Sequence, residues 1–152
     1  MTGWTLGPGI VALPDGRRIR GRGLRARCDL DLDVDVEPEV GYYLLAKAQA
    51  PTGSPAVWIK WRDFRRPADE LHAFAALTDA YDRCATERVE IACAGGRGRT
   101  GCAIAVLAVL GGIEPQQAVG WVRANYDRRA IETPWQRRWI EGLEVARIRG
   151  EP

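Results

Sequence analysis

The chain has 152 residues, 46% of them hydrophobic, and a net charge of +2 at pH 7. That length suits one domain, spanning 1–152, with a real core. The near-neutral balance argues against a surface built for nucleic acid or for a charged membrane. Lys47 and Lys60 are the only lysines, so arginine carries almost all the positive charge and its abundance alone says little about anion binding.

In chain order, residues 1–40 form an N-terminal extension. Met1-Thr2-Gly3-Trp4 has neither a basic nor an apolar leader region, so no secretion signal is expected. Ile10–Leu13, the turn Pro14-Asp15-Gly16 and Arg17–Arg20 predict a hairpin. The run Asp29-Leu30-Asp31-Leu32-Asp33-Val34-Asp35-Val36 alternates acids as a calcium loop does. Val34 stands where that loop needs glycine and Val40 where it needs a bidentate glutamate, so a solvated acidic strand or loop is expected instead.

Tyr42–Leu45 predicts a strand, 51–55 a loop, and Val57–Trp61 a further strand, β-branched and aromatic. Pro67–Ala85 reads as an amphipathic helix with Leu71, Phe74, Leu77, Tyr81 and Cys84 on its buried side and His72 outside. Val89–Ala92 is a short apolar strand and Cys102–Leu110 a buried helix, too short to span a bilayer. A helix follows from Glu114-Pro115 to Asn125. The last runs from Pro134 to about Arg149, with Trp135, Trp139 and Leu143 as its buried edge.

Between strand and helix lies Cys93-Ala94-Gly95-Gly96-Arg97-Gly98-Arg99-Thr100-Gly101. Glycines at 95, 96 and 98 let a backbone curl until successive N–H groups point at one anion. The start of the following helix adds its positive end. Arg99 offers a planar fork that matches two phosphate oxygens. All three features also favour a negatively charged sulfur at Cys93, and the Thr100 hydroxyl is placed to hydrogen-bond it. The segment has three plainer readings. An RNA-contacting Arg-Gly segment belongs in a disordered tract, and this one is flanked by apolar elements. A nucleotide P-loop needs a lysine that is missing here. The third is an inert buried cysteine beside a chance arginine.

The segment 93–101 resembles the signature H-C-x5-R-[ST]-G of the cysteine-dependent protein tyrosine phosphatase superfamily. Ala92 stands where that family has histidine. Upstream, Trp61-Arg62-Asp63-Phe64 is similar to the family's W-P-D-F general-acid loop, with Arg62 in place of proline. Expelling an alkoxide or phenoxide needs a proton, and a placed acid contributes roughly 10²–10⁴-fold. The resemblance thus implies Cys93 as nucleophile, Asp63 as acid and then base, and residues 94–99 (Ala94, Gly95, Gly96, Arg97, Gly98, Arg99) as the phosphate cradle. It also implies Thr100 as an aid to the sulfur. The family often places a glutamine to hold the hydrolytic water, and Gln136 is the candidate; Thr133-Pro134 also reads as a helix start.

The resemblance covers roughly 57–145. It implies an α/β fold of the compact dual-specificity type: a central mixed sheet flanked by helices, with the Cys loop between a central strand and a helix. The expected substrate is a phosphorylated protein or small phosphomonoester, with phosphotyrosine the default. Arg97 keeps a polyphosphorylated small molecule or lipid headgroup open, and a catalytically silent phosphate-binding module is the rival. No cofactor is expected. With no C-x-x-C spacing and a single histidine, His72, a zinc site is not expected either. A catalytic thiol argues for the reducing cytoplasm. Cys84 and Cys102 are expected to be inert core residues, the alternative being a reversible disulfide that protects Cys93.

Overall fold

The computed structural model describes residues 3–25, 36–48 and 55–152. The acidic run at 29–35, the loop at 51–54 and Cys28 lie outside the described residues.

Five strands form one mixed sheet. They are β1 (Ile10–Ala12), β2 (Arg18–Gly23), β3 (Val40–Leu45), β4 (Ala56–Lys60) and β5 (Val89–Cys93), in spatial order β1-β2-β5-β3-β4. β1 pairs antiparallel with β2, and every other pairing is parallel. The hairpin is the expected one: Gly16 takes a positive φ of 92° at its turn, and the Gly16 N–H closes onto Leu13 O at 2.8 Å. β5 is buried along its whole length. That is the reason its five residues include no exposed position, as a strand covered on both faces demands.

One face of the sheet is covered by helices: α1 (Glu70–Arg83), α2 (Gly98–Leu110), α3 (Pro115–Asn125), α4 (Pro134–Glu141) and α5 (Val145–Ile148). α2 is buried from Gly98 to Val109, which is why its sequence is apolar all round rather than striped. Val89, Ile91 and Cys93 of β5 point into this layer and join the core with Leu77, Ile104 and Leu107. On the opposite face lie Glu90 and Ala92. There Glu90, wholly buried, accepts from Arg20 Nε at 2.8 Å, from Tyr43 Oη at 3.2 Å, and pairs with Arg22 Nε at 3.0 Å. The Trp4 ring lies over the Arg20 guanidinium at 4.3 Å, and its indole N–H donates to Val89 O. Burial beside Glu90 pushes the Tyr43 phenol up to about 12.

Two helical expectations are corrected. α1 begins at Glu70 rather than Pro67, because Asp69 caps it by accepting from His72 N. Leu71 is then exposed at 66%, while Phe74, Leu77 and Tyr81 are buried as expected. The single terminal helix is two: α4 stops at the Gly142 cap and α5 resumes at Val145. Trp139 and Leu143 are buried, but Trp135 is half-exposed. No helix among the described residues is long and apolar enough to cross a membrane, and no cluster of metal-ligating side chains occurs among them.

Candidate active site

The parallel register brings Cys93 to the carboxyl end of the central strand, where open α/β sheets place their sites. The loop that follows is held from outside by its carbonyls. Leu24 N donates to Cys93 O at 2.8 Å and Arg25 N to Ala94 O at 3.0 Å. Tyr126 Oη donates to Gly96 O at 2.6 Å, and Ile131 N to Arg97 O at 3.2 Å. With the carbonyls turned outward and satisfied, the amides are turned the other way. The Gly96 N–H donates to Cys93 Sγ at 3.1 Å. Gly96 has a φ of 78°, and a Cβ there would meet Gly23 N at 2.4 Å. Only glycine fits where the end of β2 runs backbone-to-backbone past the loop.

α1 and α4 are capped by Asp69 and Thr133, whereas α2 begins at Gly98 with no side-chain cap and no acid in its first turn. α3 and α5 also lack a side-chain cap, but only α2 starts at the end of the Cys93 loop, where free N–H groups could meet an anion. Arg99, only 4% exposed, donates through Nη1 to Trp61 O at 3.1 Å. Its Nε has no hydrogen-bond partner and lies 3.6 Å from Asp63 Oδ1. The Thr100 hydroxyl is buried without a partner as well. Among the described residues only one other buried side-chain polar atom lacks a hydrogen bond, Arg22 Nε, which is ion-paired with Glu90; Arg99 Nε and the Thr100 hydroxyl together mark a place suited to an anion.

The loop that carries Asp63, the expected acid, lies against this place. Trp61 continues β4 by donating to Leu45 O, and Ala68 N returns to Lys60 O at 3.2 Å. Between them, Arg65 N bonds Arg62 O across a turn whose third residue, Phe64, takes a φ of 60°. A bulky side chain rarely accepts that conformation, and it persists only where the surroundings hold it. Here they do. Trp61 Nε1 donates to Arg65 O at 2.6 Å, Gln136 Nε2 donates to the same oxygen at 3.1 Å, and Trp135 Nε1 donates to Phe64 O. The Trp61 ring is wholly buried edge-on against Trp139.

Cys93, Asp63, Arg99 and Thr100 are thus brought together, with 94–98 as the loop between. Gln136 is different. It is wholly buried; its Oε1 accepts from the N–H groups of Glu132 and Thr133, and its Nε2 is the donor to Arg65 O. The capping role is met in full as a capping box with Thr133. These partners take both lone pairs of Oε1 and one of the two Nε2 N–H groups, so Gln136 ties α4 to the loop that carries Asp63. Arg97 points outward, half-exposed, toward Asp127 at 3.4 Å. Tyr126 and Trp135 were missed as site residues: neither stands in a motif, and Trp135 read as core.

The other cysteines are in the reduced form among the described residues. Burial pushes the Cys84 thiol up to about 12, and it also raises Cys102, with the neighbouring Cys93 adding to the rise. Ala92, where the family has histidine, faces the back of the sheet in register with Arg22 on one side and Tyr43 on the other. The Arg–Glu–Tyr cluster occupies the room that a larger ring would need.

No family model matches the chain, and no curated protein sequence matches it. Solved structures do. Tk-PTP in its active form is 21% identical with a TM-score of 0.64, covering 88% of this chain and 93% of that one. Kinase associated phosphatase, with its catalytic-site cysteine replaced by serine, is 17% identical with a TM-score of 0.64, covering 90% and 94%. The Siw14 catalytic core is 16% identical with a TM-score of 0.57, covering 74% and 72%. The chain has the fold of the cysteine-dependent protein tyrosine phosphatase superfamily.

Proposed function

We propose that the protein is a phosphomonoesterase of the tyrosine or dual-specificity type that works through a phosphocysteine. The observation that carries this is Arg99: a buried guanidinium with an unspent N–H, set between the Cys93 loop and the Asp63 carboxylate. Phosphate monoester oxygens would take that N–H together with the inward amides of 94–99, in a site already organised before the substrate arrives. Cys93 Sγ attacks phosphorus as the ester P–O bond breaks, and Asp63, protonated, gives its proton to the leaving oxygen. Asp63 is then a carboxylate. It takes a proton from the water that attacks phosphorus, the S–P bond breaks, and inorganic phosphate and the Cys93 thiolate are regenerated. The Thr100 hydroxyl, without another partner, donates to the departing sulfur. Nucleophile, charge and proton all come from side chains, so the reading is metal-independent and uses no cofactor. A thiol in this role suits the reducing cytoplasm.

The test is hydrolysis of an aryl phosphate in the presence of chelator. Turnover that is blocked by vanadate and abolished in Cys93→Ser supports the reading. Phosphate or phosphopeptide binding without turnover would replace it with a silent binding module. Alkylation gives a second check. A thiol whose pKa is raised stays neutral and unreactive at lower pH, so iodoacetamide at pH 6.5 should label Cys93 while Cys84 and Cys102 remain free. Labelling at Cys84 or Cys102 first would contradict the assignment.

A further inference from the structure

Nine arginines of the described chain have a carboxylate within 4 Å. Arg17 pairs with Asp15, Arg83 with Glu87, Arg88 with Glu39, Arg137 with Glu141 and Arg147 with Glu70. Those of the acid loop and the adjoining face of α4 do not. Arg65, Arg66 and Arg138 make no ion pair within 4 Å among the described residues, and all three are exposed. They line one groove of about 710 Å³ with Pro67, Trp135 and Trp139. Other described arginines also lack a carboxylate, but these three stand together in one groove of a chain whose net charge is only +2.

We infer that this groove receives an acidic peptide segment of a phosphoprotein substrate, flanking the phosphorylated residue held at Cys93. The inference rests on the phosphomonoesterase reading of that site. Three observations favour a peptide over a compact polyanion. The groove is large for a single phosphate group. It is lined by proline and indole, which suit the carbon stems between carboxylates, and by guanidinium groups that can take the carboxylates themselves. It also starts at Arg65, two residues from Asp63, a span of about 7 Å. Acidic side chains about two to four positions from the phosphorylated residue would reach it in an extended peptide.

The groove has one wall from the acid loop and one from α4, and Gln136 and Trp135 tie the two together by hydrogen bonds to Arg65 O and Phe64 O. It is complete only with the loop closed. A segment bound there favours the closed state by its differential affinity, so acidity in the substrate should raise kcat as well as lower KM.

The experiment compares two phosphotyrosine peptides, one with glutamates flanking the phosphotyrosine and one with serines, on the wild type and on R66A/R138A at low salt. The expected result is a preference of about ten-fold in kcat/KM for the acidic peptide in the wild type, the equivalent of about 1.4 kcal/mol. It should shrink to near unity in R66A/R138A, with aryl phosphate hydrolysis unchanged. No preference in the wild type, or a preference that survives the double substitution, overturns the inference. So does an inositol polyphosphate that is hydrolysed in preference to both peptides and loses that advantage in R66A/R138A, since the groove would then serve a small polyanion. If nothing is hydrolysed, the phosphatase reading fails by itself. Binding of the unphosphorylated glutamate peptide by the Cys93→Ser protein then decides the groove: binding lost in R66A/R138A upholds it, and no binding sinks it.

Discussion

Arg20 and Arg99 are both buried, 3% and 4% exposed, Arg20 opposite Glu90 near the start of β5 and Arg99 beyond its carboxyl end. Arg20 is spent. Its Nε bonds Glu90 at 2.8 Å, its Nη1 bonds Val36 O at 2.9 Å, and an indole lies on its face. Arg99 holds one carbonyl, Trp61 O, and faces a half-exposed Asp63 at 3.6 Å with an N–H unused. Burying a charge is costly unless it is paired. The chain meets that cost fully at Arg20 and only in part at Arg99. The difference separates a charge that holds the fold together from one reserved for a ligand's charge.

Two substitutions test that contrast directly. Arg99→Lys keeps the charge but loses the fork, so kcat on an aryl phosphate should fall about 10²–10³-fold, while the urea midpoint stays close to wild type. A large loss of stability with kcat per folded molecule intact would make Arg99 a structural residue like Arg20 and erase the distinction. Glu90→Ala should do the converse. It leaves Arg20 and Arg22 buried without their counter-charge, and breaking such a pair costs about 3–5 kcal/mol. Urea unfolding should register that loss, with kcat per folded molecule unchanged.

The loop that follows β5 was largely legible in the residues, and the surroundings of Arg20 were not. Cys93 to Gly101 is local: its glycines, arginine and flanking apolar runs are contiguous, so chain order already implies the loop. Asp63 followed from asking what the chemistry lacked. The Arg20–Glu90–Tyr43 cluster joins three strands whose pairing order, β2-β5-β3, no local pattern encodes. Glu90 reads as an ordinary polar strand residue until both strand faces are known to be covered. The same reasoning explains Trp135. Periodicity places an aromatic at the start of α4 on the core side, but its indole N–H finds Phe64 O, a partner 71 residues away. Leu71 was misplaced because it lies in the first turn of α1, off the stripe of Phe74, Leu77 and Tyr81, and is exposed there.

Ala92 sits where the two sides meet, one residue before the nucleophile but with its side chain on the back face. Introducing histidine by Ala92→His would restore the family's signature at the expense of the space between Arg22 and Tyr43. Overpacking of this kind costs about 1–3 kcal/mol. Thermal unfolding should show the loss, and kcat should not rise. A gain in kcat without loss of stability would mean that the back face had room after all and that the missing histidine limits the enzyme.

The smallest expected effect belongs to the tie that closes the acid loop. Trp135→Phe keeps the ring but removes the indole N–H that bonds Phe64 O. One such bond is worth about 1 kcal/mol net, so the closed loop should lose about five-fold in relative population at most. Because Trp135 is half-exposed, stability should change little. In the proposed mechanism Asp63 serves the leaving oxygen, so the loss must depend on how much that oxygen needs a proton. Turnover of phenyl phosphate, a poor leaving group, should fall more than that of 4-nitrophenyl phosphate, with KM nearly constant for both. An equal fall for the two esters would show that Trp135 acts on the phosphate socket itself, and the division between a loop that delivers the proton and a guanidinium that holds the charge would have to be redrawn.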